Sequence, residues 1–179
     1  MLKKHISDLI VRQLGFEPTE CQIYTIEKLA EFITIEKPFP TFVLNGYAGT
    51  GKTSVISAMV KVLEELKIRA ILLAPTGRAA KVLSKYSEKS ATTIHKKIYR
   101  QQTTTDGFSR FSLDRNLNKN TLFIVDEASM ISNLPQEQNV FGSGYLLSDL
   151  IEYVFTGENC RLVLVGDTAQ LPPVGVAIS

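Results

Sequence analysis

The segment Gly46-Tyr47-Ala48-Gly49-Thr50-Gly51-Lys52-Thr53 constrains this chain more than any other. It has the form G-x-x-x-x-G-K-[ST], and it sits between two segments of different periodicity. Before it, Thr41-Phe42-Val43-Leu44 reads as a buried strand. After it, from Ser54 to about Leu66, the residues Val55, Ile56, Met59, Val60, Leu63 and Leu66 recur at helical spacing. Strand, glycine loop and helix in that order predict a backbone cradle for phosphate groups. Glycine lets the chain curl until N–H groups converge, and the helix N-terminus adds positive potential. Gly46, Ala48, Gly49, Thr50, Gly51 and Ser54 would form or flank that cradle. Lys52 would reach the outer phosphates, and the Thr53 hydroxyl would hold Mg²⁺. The plainer alternative is a glycine-rich turn that binds nothing.

Composition narrows the class without deciding it. The chain has 179 residues, 44% hydrophobic and 21% charged, enough for one domain with a real core. Cys21 and Cys160 have neither a disulfide framework nor metal-ligand spacing, so a reducing compartment is expected. Asp8 and Arg12 interrupt the apolar run that a signal peptide needs, and no segment is long and apolar enough to span a membrane. A cytoplasmic location is expected, or a nuclear or organellar one in a eukaryotic source. Charge is unevenly placed. Residues 78–119 carry ten basic and three acidic side chains, a balance of +7 against −5 for the remainder. Such a basic middle suits a polyanion partner, or it is a solvated helix face.

Along the chain, Ile6 to Leu14 reads as a short amphipathic helix, and Pro18 and Thr19 open a second. Arg69 to Ala74, Thr121 to Val125 and Arg161 to Val165 are further short apolar runs, with helices expected over Arg78 to Tyr86 and about Tyr145 to Phe155. Continuous apolar runs separated by helices predict a parallel sheet covered on both faces. Ligands bind such sheets beyond the carboxyl ends of the strands. Those ends carry Asn45-Gly46, Pro75-Thr76, Asp126-Glu127 and Gly166-Asp167. Between about Ile98 and Lys119 the alternation breaks. Asp106-Gly107 between two β-prone runs predicts a hairpin, with a flexible basic loop as the alternative.

The strand ends hold the chemistry. Phe123-Ile124-Val125-Asp126-Glu127 is an apolar strand ending in two acids. Asp126 would hold Mg²⁺ directly or through water, and Glu127 would orient and polarise an attacking water. Two acids at a helix N-terminus are the structural alternative. Asp167 and Gln170, after the last strand, either sense the outer phosphate or form a polar turn before Pro172-Pro173.

Five motifs occur in order: Gly46–Thr53, Ala74-Pro75-Thr76-Gly77-Arg78-Ala79-Ala80, Thr93-Ile94-His95, Asp126-Glu127-Ala128-Ser129-Met130, and Gly166-Asp167-Thr168-Ala169-Gln170-Leu171-Pro172-Pro173-Val174. Together they resemble the N-terminal RecA-like domain of a superfamily 1B DNA helicase of the RecD and Dda group. The resemblance covers nearly the whole chain. It implies an α/β P-loop NTPase fold of RecA-like type, with residues 1–97 and 120–179 forming the ATPase domain and 98–119 an inserted β-hairpin. It implies ATP and Mg²⁺, with ATPase roles for Lys52, Thr53, Asp126, Glu127 and Gln170, and Asp167 supporting the same loop. Thr19-Glu20-Cys21-Gln22 resembles the family's Q motif, in which Gln22 reads the adenine edge; the same residues also fit a capping box. Pro75, Thr76, Gly77, Arg78, Thr93 and His95 would line a path for single-stranded DNA. Phe108 and Phe111 would stack on bases, or pack against their own hairpin.

The resemblance also implies a second RecA-like domain, which carries the arginine that completes the ATP site. Without it, weak hydrolysis and no unwinding are expected, as for a fragment of a longer enzyme. DNA repair or recombination proteins are the partners it implies. A small-molecule kinase built on the same loop, or a non-catalytic binding module, are the competing readings.

Overall fold

A computed structural model of the chain describes residues 2–103, 109–131 and 141–167. Within them the strand–loop–helix alternation closes into a parallel sheet of five strands, in the order β1-β7-β6-β2-β3. These are β1 (Thr41–Asn45), β2 (Arg69–Ala74), β3 (Ala91–Thr93), β6 (Thr121–Val125) and β7 (Arg161–Gly166). All four pairings are parallel. A separate antiparallel pair, β4 (Tyr99–Thr103) and β5 (Ser109–Leu113), forms the expected hairpin. Its Asp106-Gly107 tip and Phe108 lie outside the described residues.

The helices are α1 (Leu2–Leu14), α2 (Glu20–Ile33), α3 (Lys52–Glu65), α4 (Gly77–Ser87), α5 (Ile94–Ile98) and α6 (Leu146–Phe155). Side chains on a strand alternate faces, so each apolar run feeds two cores. Leu122, Ile124, Val163 and Val165 point into a core filled from α1, α2, α3 and α4. Phe123, Val125 and Leu162 point into the other, filled from α5, α6 and the hairpin root. This is why β6, at the centre, is buried along its whole length.

One expectation is corrected. Thr41-Phe42-Val43-Leu44 reads as buried, yet among the described strands β1 is an edge and pairs only with β7. Phe42 and Leu44 pack on the first core, while Val43 is 59% exposed. A run of apolar residues reports strand propensity; the number of neighbours comes from non-local pairing. β3 and α5 were not resolved as elements in the sequence. They are only 3 and 5 residues long, too short to carry a period.

Candidate nucleotide site

All the strand-end groups come to one rim of the sheet because its strands run parallel. Asn45 leads from β1 into the glycine loop, and Gly49 and Gly51 hold φ of +77° and +82°. That left-handed backbone is open to glycine at little cost. Gly51 is the N-cap of α3 and offers no side chain to the helix N-terminus, which leaves the first amides of α3 open. Lys52 folds back over the loop: its Nζ donates to Gly46 O at 2.6 Å and Tyr47 O at 2.8 Å. Thr50 Oγ1 also donates to Tyr47 O, at 2.8 Å.

A cleft of about 610 Å³ opens beside the loop. It is lined by Ala48, Gly49, Thr50, Gly51, Lys52, Thr53 and Ser54 from the loop and α3. Asp126 and Glu127 enter from the end of β6, and Gly166 and Asp167 from β7. Thr76 and Arg78 enter from the start of α4. The backbone N–H of Asp126 is fixed by Leu73 O at 3.0 Å, and its Oδ1 accepts the Glu127 N–H at 3.0 Å. Burial raises the Asp126 carboxyl above its ordinary range, and the neighbouring Glu127 charge adds to this; Glu127 N–H and Lys52 work the other way. Glu127 has φ +56°, an uncommon conformation for a residue with a side chain. Asp167 is buried, and its N–H donates to Ser129 Oγ at 3.3 Å, joining the ends of β6 and β7. The Thr53 hydroxyl and the Asp126 carboxylate are hard oxygen donors of the kind Mg²⁺ takes, and they line the same cleft.

A second cleft of about 430 Å³ lies on the other side of the loop, lined by Thr19, Cys21, Gln22, Asn45, Tyr47 and Val55 among others. The two clefts share Gly49, Thr50 and Lys52. Thr19 and Gln22 form a complete capping box at the head of α2. Gln22 Nε2 also reaches across to Thr50 O, at 3.1 Å.

The profile of the family described as "AAA domain" matches residues 29–176, which include every strand end of this rim. The chain belongs to the RecD/Dda-like group of superfamily 1B helicases. It is 36% identical over 137 residues to the ATP-dependent RecD2 DNA helicase of Deinococcus radiodurans, covering 76% of this chain and 16% of that protein. It is 33% identical over 134 residues to the ATP-dependent DNA helicase dda of Enterobacteria phage T4, covering 73% of this chain and 28% of the relative. It is 29% identical over 170 residues to the RecBCD enzyme subunit RecD of Haemophilus influenzae, covering 83% and 24%. The chain thus spans a quarter or so, or less, of the length of these relatives.

Within this superfamily 1B domain, the residues expected along a DNA path are placed unevenly. Thr76 and Thr93 are helix N-caps, their hydroxyls accepting from Ala79 N at 3.2 Å and Lys96 N at 3.3 Å. Pro75 and Gly77 stand at the turn from β2 into α4, with Gly77 exposed. Arg78 lines the same cleft as Lys52. His95 is half-buried between the rings of Phe141, at 5.0 Å, and Tyr99, at 5.7 Å. The Phe111 ring is stacked on Phe141, centroids 4.5 Å apart. Phe141 belongs to neither hairpin strand, so this stack is a third contact beside the two readings open for Phe111. Gln170 lies outside the described residues.

Sequence reading missed Asp149, a carboxylate buried among the apolar residues of α6. It accepts from Tyr99 OH at 2.6 Å, Ser143 N at 3.0 Å and Ser143 Oγ at 2.6 Å. An acid inside Leu146-Leu147-Ser148-Asp149-Leu150-Ile151 was the available signal. Also missed was Ser129 as the acceptor for Asp167. Among the described residues, no helix is long and apolar enough to cross a membrane.

Proposed function

We propose that this chain is the ATP-binding motor domain of a DNA helicase, coupling ATP hydrolysis to movement along single-stranded DNA. The observation that carries the reading is the convergence of Lys52, Thr53, Asp126, Glu127 and Asp167 on one cleft. In this reading the loop amides and the N-terminus of α3 bind the phosphates. Lys52 exchanges the Gly46 and Tyr47 carbonyls for phosphate oxygens, so its charge is already held over the loop before nucleotide arrives. The Thr53 hydroxyl and the Asp126 carboxylate would hold Mg²⁺, which would supply positive charge against that of the phosphates. Glu127 orients a water for in-line attack and accepts its proton. Asp167, tied to Ser129, together with Gln170, relays the state of the outer phosphate. Gln22 faces the base side of the loop.

Single-stranded DNA runs over the exposed start of α4, with Thr76, Gly77 and Arg78, and past Thr93 and His95. Helix N-termini and a basic surface suit phosphate contacts there. In this reading a second RecA-like domain, implied by the family resemblance, acts across the cleft with an arginine. Such a residue adds orders of magnitude to turnover in arginine-finger systems. Repair or recombination proteins are the proposed partners.

The test is ATP turnover with and without single-stranded DNA. The reading expects slow turnover by the isolated chain, raised by DNA and abolished by Lys52→Ala. It expects no unwinding of a tailed duplex by residues 1–179 alone. Turnover of a small-molecule phosphoryl acceptor, indifferent to DNA, would favour the kinase alternative.

A further inference from the structure

We infer that Gln22 is a brace for the phosphate loop, acting on the triphosphate through the Thr50–Gly51 peptide whatever base the nucleotide carries. The inference rests on the reading of the cleft as a triphosphate site and adds a residue that acts on it from outside.

The amide of Gln22 is held at both ends. Oε1 accepts the Thr19 N–H at 3.0 Å, and Nε2 donates to Thr50 O at 3.1 Å. Each bond requires the amide in this orientation, because a flipped amide would set NH₂ against N–H and oxygen against oxygen. The Thr19 hydroxyl separately accepts the Gln22 N–H at 3.3 Å, a cap on α2 that neither amide bond needs. The side chain lies close against the loop: a Cβ on Gly51 would stand 2.5 Å from Gln22 Nε2.

The consequence follows from peptide geometry. In a trans peptide the C=O and N–H of one unit point in opposite directions, and no cis peptide occurs among the described residues. Thr50 O is drawn toward Gln22, on the side of the smaller cleft. The Gly51 N–H of the same unit is therefore aimed away from Gln22, toward the larger cleft that Gly51, Lys52 and Thr53 line. Thr50 is tied to Tyr47 O through its hydroxyl and N–H, but on the other side of the peptide Gly51, at φ +82°, has no Cβ to restrict it. Gln22 supplies what the glycine lacks. One hydrogen of Nε2 and one lone pair of Oε1 remain, so contact with a base is compatible with the brace.

Isothermal titration calorimetry with Mg·tripolyphosphate, Mg·ATP and Mg·GTP tests this, because the first ligand has no base. Gln22→Met is expected to weaken all three by a similar factor, about five- to tenfold for one lost hydrogen bond to the loop. Thr19→Ala keeps the backbone N–H that orients Gln22 and is expected to leave tripolyphosphate affinity within about twofold. Should Gln22→Met fail to fold, Gln22→Glu serves: it keeps the acceptor for Thr19 and loses the donor to Thr50. The brace is overturned if the Gln22 variant binds tripolyphosphate as the parent does while losing ATP, the pattern of base reading alone. It is equally overturned if Thr19→Ala weakens tripolyphosphate as much as the Gln22 variant does. A parent chain that binds neither tripolyphosphate nor ATP sinks the triphosphate reading itself, a result distinct from both.

Discussion

The Tyr99 hydroxyl donates to Asp149 Oδ2 at 2.6 Å, tying the root of the hairpin to α6. Ser143 adds two more donors to the same carboxylate, and Gly142 N donates to Phe111 O at 2.8 Å beside it. Burial is the first cause that pushes the Tyr99 phenol up, and the bond to Asp149 follows. The hairpin is therefore anchored by a satisfied buried carboxylate, with the Phe111–Phe141 stack next to it.

This anchor sets a first prediction. Tyr99→Phe removes one of three donors and is expected to cost about 1–2 kcal/mol. Asp149→Ala strands a buried hydroxyl and the Ser143 donors, and is expected to cost about 3 kcal/mol or more. Urea denaturation measures both; equal costs would mean that the carboxylate does not organise the group.

Among the described residues the half-buried Lys52 donates to two carbonyls of its own loop, and neither bond ties distant elements together. Lys52→Ala should therefore change folding stability by no more than about 0.5 kcal/mol. Mg·ATP affinity should fall about ten- to a hundredfold, the worth of a charge-assisted contact. Thermal melting with and without nucleotide separates the two effects.

Glu127→Gln keeps the size of the side chain and removes the proton acceptor. Mg·ATP should still bind within about threefold, while single-turnover hydrolysis falls by about 10²–10⁴. Unchanged hydrolysis, followed by phosphate release, would assign Glu127 to the turn alone.

The fourth prediction concerns acid. Burial lowers the His95 imidazole below its ordinary value of 6.5. Between the lowered folded value and 6.5 the unfolded chain binds the proton that the folded one refuses. Stability then rises with pH through that window and is lost as pH falls through it. The urea midpoint should drop between about pH 7.5 and about pH 5, and His95→Phe should reduce that drop. An identical pH profile for the variant would show that another group carries the acid sensitivity.

Much of the rim was legible because each strand end announces itself locally. An apolar run followed by Asp126-Glu127, or by Gly166-Asp167, marks both the strand and the turn that stops it. The capping box at Thr19–Gln22 was legible for the same reason. Its second use, the bond from Gln22 to Thr50, joins residues 28 positions apart and left no pattern. Phe111 looked equally ready for a base or for its own hairpin. Its partner, Phe141, is 30 residues away and meets it through an isolated β-bridge.

By itself the sequence determined the parallel α/β class, the glycine-rich loop after the first strand and the acids at the strand ends. These depend on local periodicity and on residue chemistry at fixed spacing. The tertiary structure alone decided that β1 stands at an edge among the described strands, that Asp149 roots the hairpin and that Gln22 bears on the loop. The reason is physical: strand order and side-chain contacts come from packing between distant segments. An apolar run or a lone polar residue carries no record of which neighbour it will meet.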